Sequence, residues 1–184
     1  MKTNSLHELY VEQLQDLYDA EQQLIKALPK MAQAAASDDL RSGFEEHLQQ
    51  TKQHAERLEE ILERLGEDTR GEKCKGMEGL IKEGSEVIKE DMAEPVKDAA
   101  LIAAAQRVEH YEIAGYGTVR TFASMIDEEA VPMLEETLSE EKETDAKLTE
   151  LAENINVDAD QETDVEENEE TAKPKAGGRR KRAA

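Results

Sequence analysis

Four long stretches of this sequence repeat their apolar residues every three to four positions, which is the spacing of one face of an α-helix. They span residues 6 to about 36, the stretch after SDDL, the stretch from Pro95 to about 125, and a last one from Val131. Ser37 or an adjacent Asp is placed to cap the start of the second stretch, and Gly66 to end it. No segment competes as a β-strand, so the chain is predicted to be all-α.

The lengths of the connections predict how these helices pair. Short links join the first stretch to the second and the third to the fourth, whereas a much longer segment separates the second from the third. That segment contains MEGLIKEGSEVIKE, which is itself amphipathic. Two antiparallel helical hairpins joined by a long crossover have the connectivity of ferritin-like four-helix bundles. The predicted fold is therefore a ferritin-like four-helix bundle whose crossover contains a short helix.

The charge of the chain restricts its partners. The formal net charge is −21, from 44 acidic and 23 basic residues, and so acidic a body repels nucleic acid and anionic membranes while it attracts cations. Solubility alone is the simpler explanation of that charge. No run reaches the ~18 apolar residues of a membrane helix, and MKTNSLHELYVEQL lacks the apolar core of a signal peptide. We therefore expect a cytoplasmic protein without a membrane partner.

Several carboxylates fall on helix faces that the periodicity assigns to the core. In RVEHYEIAGYG, two glutamates share the stripe of Leu101, Val108 and Tyr116. The first helix has a glutamate between two pairs of apolar residues, and the fourth has two acidic residues, four positions apart, within its apolar stripe. These inward acidic residues are Glu21, Glu109, Glu112, Glu141 and Asp145.

A set of buried carboxylates needs a counter-charge. Burying one ionised carboxylate costs several kcal/mol unless it is paired or binds a metal. Lys and Arg are missing from these stripes, and mid-helix residues of antiparallel helices of similar length meet at one level. Any single glutamate could instead lie half exposed at a helix interface, but a pair of divalent cations explains the set better. Carboxylate and imidazole ligands suit iron or manganese, and zinc less specifically.

The second helix offers its own candidate donors. In HLQQTKQHAERL, His47 and His54 lie on the stripe of Phe44 and Leu58, and Gln50 lies between them. The spacing leaves the donor open among Gln50, His54 and His47, since His47 could equally be a core histidine. Helix two is thus predicted to contribute one corner of the metal site.

Four segments resemble the YciE/YciF family of ferritin-like bacterial stress proteins: YDAEQQLIKALPKMA, KCKGMEGLIKEGSEVIKE, DAALIAAAQRVEHYEIAGYGT and LEETLSEEKETDAKLTELA. Together the resemblance covers roughly residues 5 to 153. By this resemblance, the five inward acidic residues fall on the positions of a di-metal site. The family tends to have Glu at the position of Gln50 and Gln at that of His54, so His54 becomes the replacement donor. Thr144 stands where a Glu-x-x-His motif would have its histidine.

The resemblance also implies a function. It implies a homodimer that holds two ions, iron first and manganese second, with Glu112 bridging them and with Glu21 and Glu141 as terminal or bridging ligands. If the protein is an enzyme, it implies a di-iron oxidoreductase of ferroxidase type or one that consumes peroxide. The alternative is a stress-induced structural or metal-sequestering bundle without turnover.

The end of the sequence has no apolar periodicity. DADQETDVEENEET is acidic, and KPKAGGRRKRAA is basic. We therefore predict a bundle of residues 1–153 and a disordered tail of residues 154–184. The basic end is the one part suited to an anionic partner such as DNA, and folding back on the acidic body is the alternative.

Overall fold

The computed structural model describes residues 4–172, with side chains described as far as residue 161. Five α-helices and one turn of 3-10 helix at Glu128–Ala130 make up this part of the chain, and it contains no strand. The α-helices are α1 at Leu6–Ala34, α2 at Asp38–Leu65, α3 at Lys75–Lys89, α4 at Glu94–Ile126 and α5 at Val131–Ala172. The predicted all-α fold is confirmed.

The helices pair as their connections predicted. α1 packs along α2, and α4 packs along α5, so that each short link closes a helical hairpin. α3 lies in the crossover between the two hairpins and contacts both α1 and α4. The result is a four-helix bundle with one additional short helix on its side, as the amphipathic crossover segment predicted.

The helix ends follow the sequence signals. The Ser37 hydroxyl accepts a hydrogen bond from the backbone N–H of Leu40 and so caps α2. Gly66 ends α2 with φ of 75°, in the left-handed region that glycine adopts without strain. Pro95 lies in the first turn of α4, where its missing N–H costs nothing.

The core consists of two apolar clusters near opposite ends of the bundle. The Phe44 cluster contains Leu24, Leu28, Leu40, Phe44, Leu101, Ile102 and Leu148, among others. The Tyr10 cluster contains Tyr10, Leu14, Leu17, Leu58, Ile61, Tyr116 and Leu134, among others. On each of the four long helices, the inward acidic or histidine residues lie in the interval between these two clusters. The bundle thus has a polar layer sandwiched between two apolar ones.

The structure differs from the sequence prediction at the end of α5. A tail without regular structure was predicted from residue 154, yet the backbone is helical through Ala172. No Pro or Gly occurs between Pro132 and Pro174, so nothing in the sequence ends the helix earlier. Ile155 packs partly against the Phe44 cluster. The predicted basic segment, residues 173–184, lies outside the described residues.

None of the described helices combines the length and the apolar content that crossing a bilayer requires.

Candidate metal centre

The polar layer in the middle of the bundle is made by side chains from all four long helices. Each of these side chains is almost completely shielded from solvent, with at most 3% of its surface exposed. They are Glu21 from α1, His47 and His54 from α2, Glu109 and Glu112 from α4, and Glu141 from α5. The burial predicted for these glutamates is therefore found, and both histidines of α2 join them.

The donor atoms of this layer form two groups that share one residue. Within each group, one ligand atom from every residue lies within 4.8 Å of the others. One group is His47, Glu109, Glu112 and Glu141, and the other is Glu21, His54 and Glu141. Glu141 belongs to both groups, and Glu112, the predicted bridge, belongs to one of them.

Many of these donor atoms have no hydrogen-bond partner. Among the described residues, both carboxylate oxygens of Glu112, Oε2 of Glu141 and the Nε2 atom of His47 are buried without one. A buried polar atom left unsatisfied costs about 1–3 kcal/mol, and native structures contain few of them. Lone pairs that face one another across a small interior space fit a cationic ligand, so the donor set fits metal ions.

The ring of His54 is oriented by groups behind it. Its Nδ1 atom lies 2.9 Å from Oε1 of Glu141, while its Nε2 atom lies 2.9 Å from Oε2 of Glu140. Arg57 contacts Glu140 at 2.5 Å, and its hydrogen bonds, with those of His54, lower the pKa of that carboxyl group. An Nε2–H that donates to Glu140 leaves the Nδ1 lone pair free for a metal, the arrangement common to metal-binding histidines.

His47 has a parallel arrangement with neutral partners. Its Nε2 atom lies 3.4 Å from Oε1 of Glu109, and its Nδ1 atom lies 3.4 Å from Oε1 of Gln50 and 3.3 Å from the Thr144 hydroxyl. An Nδ1–H that donates to the Gln50 amide oxygen presents the other ring nitrogen to the carboxylates. The structure thus places Gln50 behind His47, where it orients the ring. Of the three candidate donors of helix two, His47 and His54 belong to the two groups and Gln50 does not.

Asp145 does not join either group. Its side chain is about one quarter exposed and contacts Nε2 of Gln106 at 3.3 Å and Nε2 of the exposed His110 at 3.4 Å. Four residues advance an α-helix by one turn plus about 40°, so a residue at that spacing from Glu141 turns away from the bundle axis. Here that rotation directs Asp145 to the rim between α5 and α4.

The carboxylates of the layer are electrostatically strained in the absence of a cation. Burial, followed by the negative charge of Glu141, raises the pKa of Glu21 to about 8. Burial and the neighbouring carboxylates also raise the pKa values of Glu109 and Glu112 well above the usual range. Burial lowers the pKa of His47, so its ring is held neutral. A divalent cation would remove this strain, because it offsets the desolvated negative charge.

Few groups in the polar layer can offset the negative charge of its carboxylates. Burial alone would lower the pKa of His54, but its contacts with Glu141, Glu21 and Glu140 raise it instead. The Tyr116 hydroxyl donates a hydrogen bond to Oε1 of Glu21, and burial raises the pKa of that hydroxyl. One histidine and one tyrosine leave most of the carboxylate oxygens without a donor.

The residues that orient the ring of His54 were not predicted from the sequence. Glu140 and Arg57 lie beside predicted ligands, yet both fall on the edge of an apolar stripe and resemble ordinary surface charges in the sequence. A usable signal does exist: Arg57 follows His54 by three positions, and Glu140 precedes Glu141 directly. Residues three positions apart lie on neighbouring turns of one helix face, so a basic residue there can reach groups around a ligand.

Comparison with known proteins identifies relatives over most of the chain. The family model described as Domain of unknown function (DUF892) matches residues 5–160. Protein YciF of Escherichia coli (strain K12) is 44% identical over 163 residues, which is 87% of this chain and 98% of that protein.

Solved structures show the same architecture. The crystal structure of the E. coli stress protein YciF matches with a TM-score of 0.80 and 46% identity, over 84% of this chain and 98% of that one. YcfI from Rhodopseudomonas palustris, whose description suggests a structural role, matches with a TM-score of 0.78 and 41% identity, over 80% and 95% of the two chains. A protein from Xanthomonas campestris, at 23% identity and a TM-score of 0.70, covers 88% of this chain and 99% of its own and shares the fold.

Proposed function

This chain belongs to the DUF892 family and is a relative of the stress protein YciF, and we propose that it binds two divalent metal ions in the polar layer of its bundle. The observation that carries the proposal is the set of buried, unpartnered oxygen and nitrogen atoms from four helices. Where a protein buries carboxylates for a purely structural reason, it supplies them with donors. Here those donors are missing from most of the oxygens.

Two ligand sets follow from the two groups of donor atoms. His47, Glu109 and Glu112 would hold one ion, and Glu21 and His54 would hold the other. Glu141 belongs to both sets and would bridge the ions. Gln50 and Glu140 would fix the orientations of the two histidine rings.

The chemistry of the donors favours iron, and manganese second. Each set combines carboxylate oxygens with one imidazole nitrogen and contains no thiolate, since Cys74 lies outside both sets. Hard oxygen ligands with a minority of nitrogen suit Fe(II) and Mn(II), whereas zinc is bound less specifically by such a set. The pattern also agrees with di-metal bundles, in which glutamate and histidine project inward from four helices.

The finer proposal is that the centre is redox-active, of the ferroxidase or peroxide-consuming type. Iron bound there would supply the exchange of single electrons between its two oxidation states, with dioxygen or peroxide as the oxidant. The protein contributes a dry, fixed site: the two apolar clusters exclude water above and below it, and Tyr116 holds Glu21 in place. The buried glutamates can take up or release protons as the charge of the centre changes, because burial has raised their pKa values.

A second candidate function is structural or sequestering. The description of YcfI suggests a structural role for that relative. In this case the same residues would hold metal ions, or protons in their place, and no turnover would follow. Association with DNA through the basic end of the chain remains a further prediction, and it concerns residues outside those described.

The test of metal binding is a stoichiometric titration. Full-length protein freed of metal with a chelator is titrated with Mn(II), and with Fe(II) under anaerobic conditions, and the bound metal is counted by elemental analysis. We expect two ions per chain. One ion per chain would reduce the centre to a mononuclear site, and none would refute it.

Two variants make the titration specific. Glu141→Gln removes the charge shared by both ligand sets and should reduce both binding events. Glu143→Gln, two residues along α5 and exposed, removes the same charge outside the centre and should keep two ions bound. Admitting air to the Fe(II) form then separates the two functions: rapid ferric absorbance supports ferroxidation, and persistent Fe(II) supports sequestration.

A further inference from the structure

A cavity between α1, α3 and α4 shares only one lining residue, Glu109, with the proposed metal centre. Its volume is about 100 Å³, and its walls are mostly apolar, with Leu24, Phe44, Leu80, Ala104 and Val108 among them. The cavity is bounded at its inner end by the buried Glu109 and at its outer end by exposed residues of α1. Apolar cavities of this order stay dry and take apolar molecules: one of about 150 Å³ accommodates benzene.

The rim of this cavity has a charge opposite to that of the whole protein. Lys26 and Lys30, one turn apart on α1 and both exposed, line its mouth together with Gln23 and Ser85. Among the described residues, the lining contains no carboxylate except the buried Glu109. In a chain with 44 acidic and 23 basic residues, a rim with two lysines and no exposed acid departs from the overall composition. The local potential at this mouth therefore favours an anionic group.

A glycine on α3 provides the space inside. Gly84 is buried, and a Cβ atom built on it would lie 3.7 Å from Sδ of Met31 and 3.9 Å from Cβ of Ala104. Those are ordinary contact distances, so alanine would fit there and a longer side chain would extend into the cavity. The crossover helix thus covers the bundle at this point without filling the space beneath it.

We propose that this cavity binds a short-chain aliphatic carboxylate. The alkyl chain lies among the apolar walls, and the carboxylate remains at the solvent-exposed mouth beside Lys26 and Lys30. The carboxylate stays outside the apolar interior, because burying a polar group without a hydrogen-bond partner is unfavourable. By comparison with benzene in ~150 Å³, a cavity of this size takes a chain of about four to six carbons.

This binding site and the proposed metal centre are separate in composition. Glu109 is the one residue that belongs to both, at the inner end of the cavity. Lys26, Lys30 and Gly84 contact no member of the polar layer through any hydrogen bond or ion pair among the described residues. The ligand can therefore be tested on metal-free protein, and the outcome does not depend on whether metal binds.

The first experiment is a ligand series on full-length, metal-free protein at pH 7.5. Butanoate, hexanoate, decanoate and hexan-1-ol are titrated, and binding is followed by calorimetry and by NMR shifts of methyl groups that line the cavity. Each added methylene should tighten binding about fourfold, since burying one is worth about 0.8 kcal/mol, until the cavity is full near six carbons. Hexan-1-ol should bind at least fivefold more weakly than hexanoate. Equal affinity for the alcohol and the carboxylate would overturn the role of the lysines.

Paired variants locate the site. Gly84→Leu fills the cavity and should weaken hexanoate binding at least tenfold. Gly79→Leu is the control and should leave the affinity unchanged, because a Cβ atom at Gly79 would have no described atom within 4 Å. The double variant Lys26→Gln, Lys30→Gln should reduce the affinity for hexanoate to that for hexan-1-ol. The control double variant Lys82→Gln, Lys89→Gln, at exposed positions elsewhere on α3, should keep the parent affinity. The lysine variants keep the test decisive if Gly84→Leu disturbs folding. Hexanoate binding that is undetectable, or equal in parent and variants, would overturn the proposal.

Discussion

Buried carboxylates occur in this protein in two different settings. Asp98 and Asp127 are nearly as buried as the glutamates of the polar layer, yet each accepts hydrogen bonds from fixed donors. Asp98 accepts hydrogen bonds from the backbone N–H groups of Ala36 and Ser37 at 2.9 and 2.8 Å. These bonds attach the α1–α2 link to α4. Asp127 accepts hydrogen bonds from the Tyr10 hydroxyl at 3.0 Å and from the guanidinium of Arg64 at 2.6 and 2.7 Å.

Most carboxylate oxygens of the polar-layer glutamates are buried without such donors among the described residues. Both oxygens of Glu112 are buried and unpartnered, in contrast to those of Asp98. Burial by itself therefore does not distinguish a metal ligand from a structural carboxylate in this fold. Under the proposed function, the presence or absence of protein donors makes this distinction, because it decides whether the desolvation cost has already been offset.

The largest expected effect is stabilisation of the polar layer by metal. Saturating Mn(II), or Fe(II) under anaerobic conditions, should raise the free energy of unfolding by about 5 kcal/mol, at roughly 2.7 kcal/mol for each of two sites filled at 100 times its dissociation constant. Urea unfolding with and without metal measures this. Asp98→Asn should keep the metal increment and Glu141→Gln should lose most of it. Equal unfolding curves with and without metal would place both kinds of carboxylate in the structural class.

The second effect is a pH dependence of stability that arises from Glu21 in the polar layer. Because the pKa of Glu21 is raised to about 8 in the folded protein, from 4.5 as its ordinary value, the folded state binds more protons than the unfolded state between these values. Stability of metal-free protein should therefore be greatest below pH 4.5 with respect to this group and fall as pH rises through 8, by on the order of 3 kcal/mol. Urea midpoints in chelator from pH 5 to 8 measure it. Glu21→Gln should flatten the slope, and an unchanged slope in that variant would contradict the assignment.

The third effect concerns the satisfied carboxylate. Asp98→Ala leaves two backbone N–H groups without their acceptor and should reduce the free energy of unfolding by about 2–4 kcal/mol, with or without metal. Asp39→Ala, exposed in the first turn of α2, is the matched control and should cost less than about 1 kcal/mol. A loss that disappears when metal is added would show that Asp98 acts through the polar layer.

The fourth effect tests the orientation of His54. Glu140→Ala removes the acceptor of its Nε2–H and should weaken metal binding about 10- to 100-fold. Glu136→Ala removes the other, more exposed partner of Arg57 and should leave the affinity nearly unchanged. Calorimetric titration of both variants with Mn(II) gives the comparison. Equal losses in the two variants would mean that Arg57, rather than the Glu140 contact, governs the ring.

The smallest effect in the metal-free protein is also the one that separates the two settings most directly. Glu112→Ala removes a carboxylate that has no donors and repels its neighbours, so the metal-free variant should be as stable as the parent or up to about 1 kcal/mol more stable. The same variant should lose the ion assigned to His47, Glu109 and Glu112. Thermal and urea unfolding in chelator test the first expectation. A variant clearly less stable than the parent would show that Glu112 is held by structural interactions, as Asp98 is.

The helices and the inward direction of most of the acidic residues could be predicted from the sequence. Both are local properties, because apolar spacing places a residue such as Glu112 on the buried stripe whatever the partner helix is. The caps at Ser37 and Gly66 are local for the same reason. The direction of a side chain is harder to predict when the residue lies about 40° from the centre of a stripe, as Asp145 does. A small rotation of the helix then decides whether the side chain faces the bundle axis or the rim.

What the sequence alone determined is thus the layer: helices of similar length with acidic residues midway between apolar clusters. The tertiary structure decided which atoms meet within that layer. It selected Glu141 as the shared residue, set Gln50 behind His47, and brought Arg57 and Glu140 together behind His54. Those contacts depend on the relative rotation and register of two or more helices, which are fixed by packing across the whole core and not by the spacing of residues within one helix.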